Sequence, residues 1–406
     1  MTYSGGGNFV SDFIIIRSEG GGLAKQVVKG HDYLFAYAKN ISCFNPIKKP
    51  KDIRGKIVTI DEEEYWIEED WLRKEFGKYG TCHYEEIVEL KGEEKKLEID
   101  EGIKNGLYVL VKKNNGMHIV GRYRLIKEDG SKFYSVQKHL NKKGVHDLEE
   151  LQLSSYFDYP KPSSLIFDLV KGATFSSVQS GDIILDFFAG SATTAHAVMK
   201  LNAEDGGNRQ YIMVQIPEKC DEKSEAFKAG YKTIAEIGKE RIRRAGEKIK
   251  AEMTENDSQQ LSLLEDKAVK ANLDIGFKVF KLDETNFTQW DEETTDPAAA
   301  LLRSVQSIKP NRTSEDALYE ILLKYGIDLT LPVTEIEIDS KKVFSLAANY
   351  LLVCLEKNLS LSTIEEIAKL KPQRVVFYDD AFKDDVVKLN AEQTLRKFGV
   401  EDLRVI

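Results

Sequence analysis

No two cysteines in this sequence are close enough to clip a metal or to frame a small disulfide-bonded fold. The four in 406 residues, Cys43, Cys82, Cys220 and Cys354, lie far apart, and none belongs to a CxxC pair. The six histidines form no HExxH motif and no cluster with cysteine, so no metal site is indicated. Long apolar runs are missing too. None approaches the roughly 18 residues that a membrane span needs. The FIII run at Phe13–Ile16 follows Asp12, precedes a Gly-rich turn and has no basic segment before it, which is not the pattern of a secretory signal. A cytoplasmic chain with no membrane partner is expected. Hydrophobic residues at 42% and charged residues at 31% exclude a disordered or collagen-like polymer, so the chain is globular. Its length suits about two to three domains.

Positive charge is in deficit overall. The formal net charge of −9 argues against a protein that coats DNA uniformly, but the average hides an asymmetry. Between Lys104 and His146 stand ten lysines and arginines against two acids, Glu128 and Asp129, together with three of the six histidines. Lys112, Lys113, Arg122, Arg124, Lys132 and Lys138, interleaved with Tyr108, Tyr123, Phe133 and Tyr134, suit phosphate contact with some base or groove reading. An exposed lysine-rich edge that discourages strand aggregation is the other explanation. A second basic run, KERIRRAGEKIK, puts Lys239, Arg241, Arg243, Arg244, Lys248 and Lys250 on one helix, where a solvated face is the expectation before DNA contact.

Patterning divides the chain. Phe9–Ile16 and Tyr33–Ala38 read as neighbouring strands around a glycine-containing loop. From Ile41 to about Glu150 an inserted domain is expected, with an acidic helix over DEEEYWIEEDWLRKEF and hairpin strands at GLYVLV, HIVGRYRLI and KFYSVQ. Residues 183–217 read as a βαβ unit, and a long polar helix follows over Glu225–Met253. The last hundred residues alternate strand and helix patterns, as a small α/β domain does.

The most informative segment is ILDFFAGSATTAHAVMK, Ile183–Lys200. An apolar strand ends at Asp186, Ala189–Ala192 make a turn of small residues, and Thr193 and Thr194 open a helix. Small side chains let backbone approach a ligand, the helix start attracts an anion, and a strand-end carboxylate takes a cation. S-adenosylmethionine carries both charges on one amino acid, and its sulfonium would gain from an aromatic face such as Phe188. An ordinary βα turn has the same outline. A phosphate loop would need a lysine after Gly190, a dinucleotide fingerprint fails at Ala192 and Thr194, and Ser191 lacks the hydrolase elbow GxSxG.

The run DFFAGSATTAHAV resembles motif I of the beta group of DNA amino-methyltransferases, usually DPFxGSGTT, and FDYPKPSSLI resembles their motif X. NRQYIMVQIPE followed by AGYKTIAEIGKERIRRAGEKI resembles the signature after motif I in the Mod subunits of type III restriction-modification systems. NFVSDFIIIRSEGGG and HDYLFAYAKN are similar to the strand pair before the recognition insertion of those subunits, and RVVFYDDAFKDDVVKLNAEQTLRKFG is similar to their C-terminal end. The resemblance implies an α/β fold: an incomplete Rossmann-like S-adenosylmethionine-dependent methyltransferase sheet, an inserted recognition domain and a small C-terminal α/β domain. The divisions expected are 1–40 for the strand pair, 41–150 for target recognition, 151–253 for donor binding, 254–297 for a linker and 298–406 for the C-terminal domain.

Carried over by residue, the resemblance places Asp186 near the methionine amino group of S-adenosylmethionine, with Phe188, Gly190 and Ser191 lining the pocket. Lys161 and Pro162 form its other wall, and Glu218 faces the ribose hydroxyls. Ala192 departs from the second glycine of the usual motif and is expected to narrow the pocket slightly. A larger departure concerns the tetrapeptide Asp/Asn/Ser-Pro-Pro-Tyr/Phe, which accepts the amine hydrogens of a flipped base and stacks on its ring. It does not occur in these 406 residues. Because it precedes the recognition domain in the beta order, the expectation is a chain lacking an N-terminal portion, truncated or split. The implied function is transfer of methyl to an adenine exocyclic amine in a short double-stranded DNA site. The implied partners are a second Mod subunit, the restriction (Res) subunit and an N-terminal Mod fragment. A non-catalytic DNA-recognition and assembly fragment is the alternative. A small-molecule enzyme using a nucleotide cofactor is disfavoured by the failed glycine pattern.

Overall fold

The computed structural model describes residues 7–19, 26–53, 55–175, 181–261, 273–287, 308–400 and 402–405, with side chains of 256–261 excepted. The chain divides into two compact units, Met1–Gly276 and Phe277–Ile406. That boundary falls inside the segment 254–297 expected to be a linker, of which 262–272 and 288–297 lie outside the described residues.

The first unit begins with strand β1 (Phe9–Ile16) and strand β2 (His31–Tyr37), paired antiparallel. Alternation sends Phe13 and Ile15 into a core with Leu34 and Ala36, and leaves Tyr33, Phe35 and Tyr37 on the other, exposed face. Strands β3 (Lys48–Pro50), β4 (Ile57–Ile60) and β5 (Glu63–Glu68) follow. The acidic stretch is therefore not one helix. Asp61 and Glu62, both at positive φ, turn β4 back into β5, and only Trp71–Phe76 forms a helix, α1. The cause is packing: Trp66 and Ile67 are buried at the end of β5, where a sheet position outweighs the helix preference of the glutamates.

Helix α2 (Ile87–Lys104), broken at Gly92 with φ 85°, lies beside strands β6 (Tyr108–Lys112) and β7 (His118–Leu125). The last two form the expected hairpin, and the sheet runs in the order β4-β5-β7-β6. Trp71, Leu72, Cys82, Ile87, Ile99 and Val120 form its core. KFYSVQ does not extend that hairpin. Strand β8 (Gly130–Lys132) pairs with β3, and strand β9 (Val136–Lys138) returns to lie parallel to β1. The sheet containing the first strand pair thus recovers the chain by Val136, earlier than the expected boundary at 150.

Helices α3 (Asn141–Glu150) and α4 (Ser163–Ala173) lead to strand β10 (Ile183–Asp186), helix α5 (Thr193–Asp205) and strand β11 (Gln210–Met213). This is the βαβ unit, with β10 and β11 parallel and Asp186 opposite Met213. Helix α4 serves two cores at once. Leu165 joins Phe13 and Ile15, while Ile166, Phe167 and Val170 join Val198, Leu201, Ile184 and Tyr211. The opposite face of the parallel pair, carrying Ile183, Leu185 and Ile212, is exposed. The long polar helix is two: α6 (Glu225–Lys228) stops before Gly230, whose φ is 97°, and α7 (Ile234–Leu261) starts afresh.

The second unit contains helix α8 (Ser314–Lys324), strands β12 (Val333–Ile338), β13 (Lys341–Leu346) and β14 (Leu351–Cys354), helix α9 (Leu361–Lys369), strand β15 (Arg374–Phe377), helix α10 (Asp385–Lys397) and strand β16 (Asp402–Val405). The sheet order follows the chain, antiparallel up to β14 and parallel from β14 to β16 through the helical crossovers. Continuous apolar runs at β14 and β15 are buried on both faces, as parallel strands between helices require.

Candidate functional site

Asp186 closes β10 and organises the turn that follows. One carboxylate oxygen accepts the Phe188 N–H at 3.1 Å and the other accepts the Thr194 hydroxyl at 2.6 Å, so the acid spans the turn and ties it to the first turn of α5. Gly190 stands at φ 53°, and its N–H donates to the Gln215 side-chain oxygen, two residues beyond β11, at 2.7 Å. A side chain at Gly190 would meet the ring of Phe157 at 3.5 Å. Ala192 is the N-cap of α5, at φ 60°, with no side-chain oxygen to satisfy the helix start. Its methyl group faces the close approach of α7 at Gly238.

The Lys161–Pro162 segment meets this turn directly. The Thr193 hydroxyl donates to the Lys161 carbonyl at 3.3 Å, and Pro162 caps α4. The Lys161 ammonium reaches away to Asp32 on β2 at 3.2 Å. Phe188 is 79% exposed. Ser191 is buried, its hydroxyl accepting from Arg241 at 2.8 Å, so it supports the turn from within. Glu218 lies five residues past the end of β11, exposed, and is not a strand-end residue; Gln215 holds the position nearer the turn.

Arg241, Gln215 and Thr194 are the residues that sequence reasoning missed. Arg241 is fully buried, which removes it from the solvated basic face on which it was placed. One signal was available: Gly238 and Arg241 are three apart and share a helix face. Gly238 lets α7 reach the Gly190 carbonyl, and Arg241 fills the adjoining space.

The basic residues of the insertion are largely compensated. Arg122 donates to Glu68 at 2.8 Å, Arg124 to Asp129 at 2.7 Å, Lys113 to Glu69 at 2.5 Å and Lys138 to Glu19 at 2.7 Å. Burial alone would push the Asp129 carboxyl up, but hydrogen bonds from Arg124, Trp66 and Lys51 hold it below the usual carboxylate range. Lys112 and Lys132 have no ion pair among the described residues.

Residues 1–226 match the DNA methylase family, and the match covers more than half the chain. The chain belongs to that family. Over 111 residues it is 46% identical to the StyLTI Mod subunit, a type III restriction-modification enzyme of Salmonella typhimurium, covering 27% of this chain and 16% of the relative. It is 31% identical over 255 residues to the EcoPI Mod subunit of Escherichia phage P1, and 28% identical over 271 residues to the EcoP15I Mod subunit of Escherichia coli. These matches take in 58% and 63% of this chain and 34% and 36% of the relatives, so it spans about a third of their length. The kinship with Mod subunits is the one that the motifs imply.

Proposed function

We propose that this DNA methylase binds S-adenosylmethionine at the Asp186 turn and serves in site-specific methylation of an adenine exocyclic amine in duplex DNA, as part of a type III Mod-like assembly. The observation that carries the reading is the turn itself. Asp186 is preorganised by two hydrogen bonds, and the first N–H groups of α5 have no side-chain cap, so a carboxylate ligand finds donors where an ammonium finds an acceptor. Phe188, open to solvent beside them, offers a face to a sulfonium. Bound S-adenosylmethionine would supply the electrophilic methyl. The chain's own part is to hold the amino-acid end between Asp186 and α5, with the Lys161–Pro162 segment as the facing wall and Gly190 leaving backbone room. Glu218, though exposed, is kept as a ribose contact from the loop after β11.

Lys112, Lys113, Arg122, Arg124, Lys132 and Lys138 are proposed to contact duplex DNA, with Lys112 and Lys132 contributing most because, among the described residues, no acid pairs with their charges. The expected protein partners are a second Mod subunit and a Res subunit. We assign no residue to accept the amine hydrogens, since the Pro-Pro-aromatic tetrapeptide is not among these residues. Calorimetric titration with S-adenosylmethionine tests the reading: the chain should bind it, and Asp186→Ala should weaken binding at least about tenfold, the value of one charge-assisted contact. Equal binding by both forms would remove Asp186 from the site. Tritiated methyl incorporation into duplex DNA, with and without a Mod polypeptide carrying the tetrapeptide, separates a methyltransferase from the DNA-recognition alternative.

A further inference from the structure

Arg241 is the largest fully buried side chain among the described residues, and its hydrogen bonds converge on the donor turn. One terminal nitrogen donates to the Ser191 hydroxyl at 2.8 Å and the Thr193 hydroxyl at 2.7 Å; the other lies 3.5 Å from His196 Nδ1 on α5. The nearest acid among the described residues is Asp147 on α3, 4.0 Å away, and one of its oxygens already accepts the Ser163 N–H at 2.7 Å. Thr193 passes the connection on, because its own proton goes to the Lys161 carbonyl. A single guanidinium thus reaches the turn directly and, through Thr193 and Asp147, both ends of the Lys161–Ser163 segment.

We infer that Arg241 is a positioning residue for the methyl-donor site, holding the turn and the Lys161 segment in register and favouring the anionic end of the donor. The inference rests on the donor-binding reading of the Asp186 turn. Two physical arguments separate it from ordinary packing. An apolar side chain of similar volume would fill the space between α5 and α7 without desolvating a charge, so stability alone does not call for arginine here. The guanidinium, in contrast, bonds both hydroxyls of the turn through one terminal nitrogen while the other faces His196 and Asp147, which methionine cannot do at all and the single nitrogen of lysine cannot do on both sides. The charge is also weakly compensated. His196 is held neutral, its pKa pushed down to about 3 by burial and by Arg241 itself, and Asp147 stands at the limit of ion-pair distance. A fixed positive charge at the start of α5 adds to the helix terminus and draws a carboxylate, while leaving a neutral nucleoside indifferent.

The test uses two thioether ligands that differ in that end: S-adenosylhomocysteine, which has the amino acid, and 5′-methylthioadenosine, which lacks it. Each is titrated into the full chain as wild type, Arg241→Met and Arg241→Lys, with circular dichroism to confirm folding. Arg241→Met should lose at least tenfold in affinity for S-adenosylhomocysteine and less than threefold for methylthioadenosine, and Arg241→Lys should fall between wild type and Met for the first ligand. Unchanged affinity in folded Arg241→Met, or equal loss for both ligands, would overturn the assignment. If Arg241→Met does not fold, the double variant Ser191→Ala, Thr193→Val removes the acceptors instead and must show the same selective loss. A wild-type chain that binds neither ligand would overturn the donor site itself, an outcome distinct from a selective failure at Arg241.

Discussion

His196 shows how one buried side chain records the site in its titration. It lies under the first turn of α5, 8% exposed, and burial with the neighbouring guanidinium pushes its pKa down to about 3. In the unfolded chain the same imidazole titrates near about 6.5. Between those values the unfolded state binds the proton and the folded state does not, so stability falls as pH falls, by up to about 1.4 kcal/mol per pH unit, and is unaffected by this group above about pH 6.5. Denaturant midpoints measured from pH 8 to 5 should therefore drop below pH 6.5, and His196→Gln should flatten much of that slope. His139, whose pKa is also lowered, chiefly by burial, accounts for a remainder. A slope identical in His196→Gln would mean that the imidazole is accessible to protons in the folded chain. At this scale the sequence was legible where side chains do their work locally: Asp186 bonds Phe188 and Thr194 within eight residues of itself, and a strand-end acid before a small-residue turn announces that geometry. Arg241 acts across fifty residues. In sequence it is one cation among six on a polar helix, set apart from Arg243 and Lys248, which do face solvent in part, only by Gly238 three residues before it.

At the scale of elements, one misread strand hides a set of ion pairs. Counted between Lys104 and His146, the insertion looks strongly basic, but Glu63, Glu68 and Glu69 come from β5 and the turn after it, and β5 pairs with β7 so that Glu68 stands opposite Arg122. Reading Asp61–Phe76 as a helix put those acids elsewhere, whereas strand pairing brings them across from the bases. Glu68 is 6% exposed, and Arg122 both donates to it and lies 5.1 Å from the Trp71 ring. Arg122→Ala would leave that carboxylate with Lys74 at 3.4 Å as its remaining partner and strip a cation from the indole face. The expected loss of stability is about 1–3 kcal/mol, the cost of an underpaired buried acid. Urea denaturation of the full chain measures it, and Arg122→Ala, Glu68→Gln should recover part of the loss by removing the stranded charge. No loss in the single variant would show that the pair contributes only at the surface.

For the whole molecule, the question is how a chain of net charge −9 meets a polyanion. Family membership rests on the first unit, within which residues 1–226 lie, while the second unit has its own core built on β12–β16. The alternation of strand and helix in that second unit was legible because each element buries its own apolar run; the electrostatics of the first unit were not, because charge pairing depends on tertiary contacts. Four of the six basic residues assigned to DNA are already bonded to acids, so a phosphate gains little there unless it displaces a carboxylate. Binding to duplex DNA should accordingly show a shallow salt dependence for so lysine-rich a segment, dominated by the cations without partners. Each phosphate neutralised contributes about 0.9 to the slope of log affinity against log salt. Lys112→Ala combined with Lys132→Ala should reduce that slope by about 2 and weaken binding to all sequences alike. Fluorescence anisotropy with a labelled duplex across a salt series reads both quantities. A slope untouched by the double variant, with binding intact, would move the DNA contacts off this segment and onto another surface of the chain.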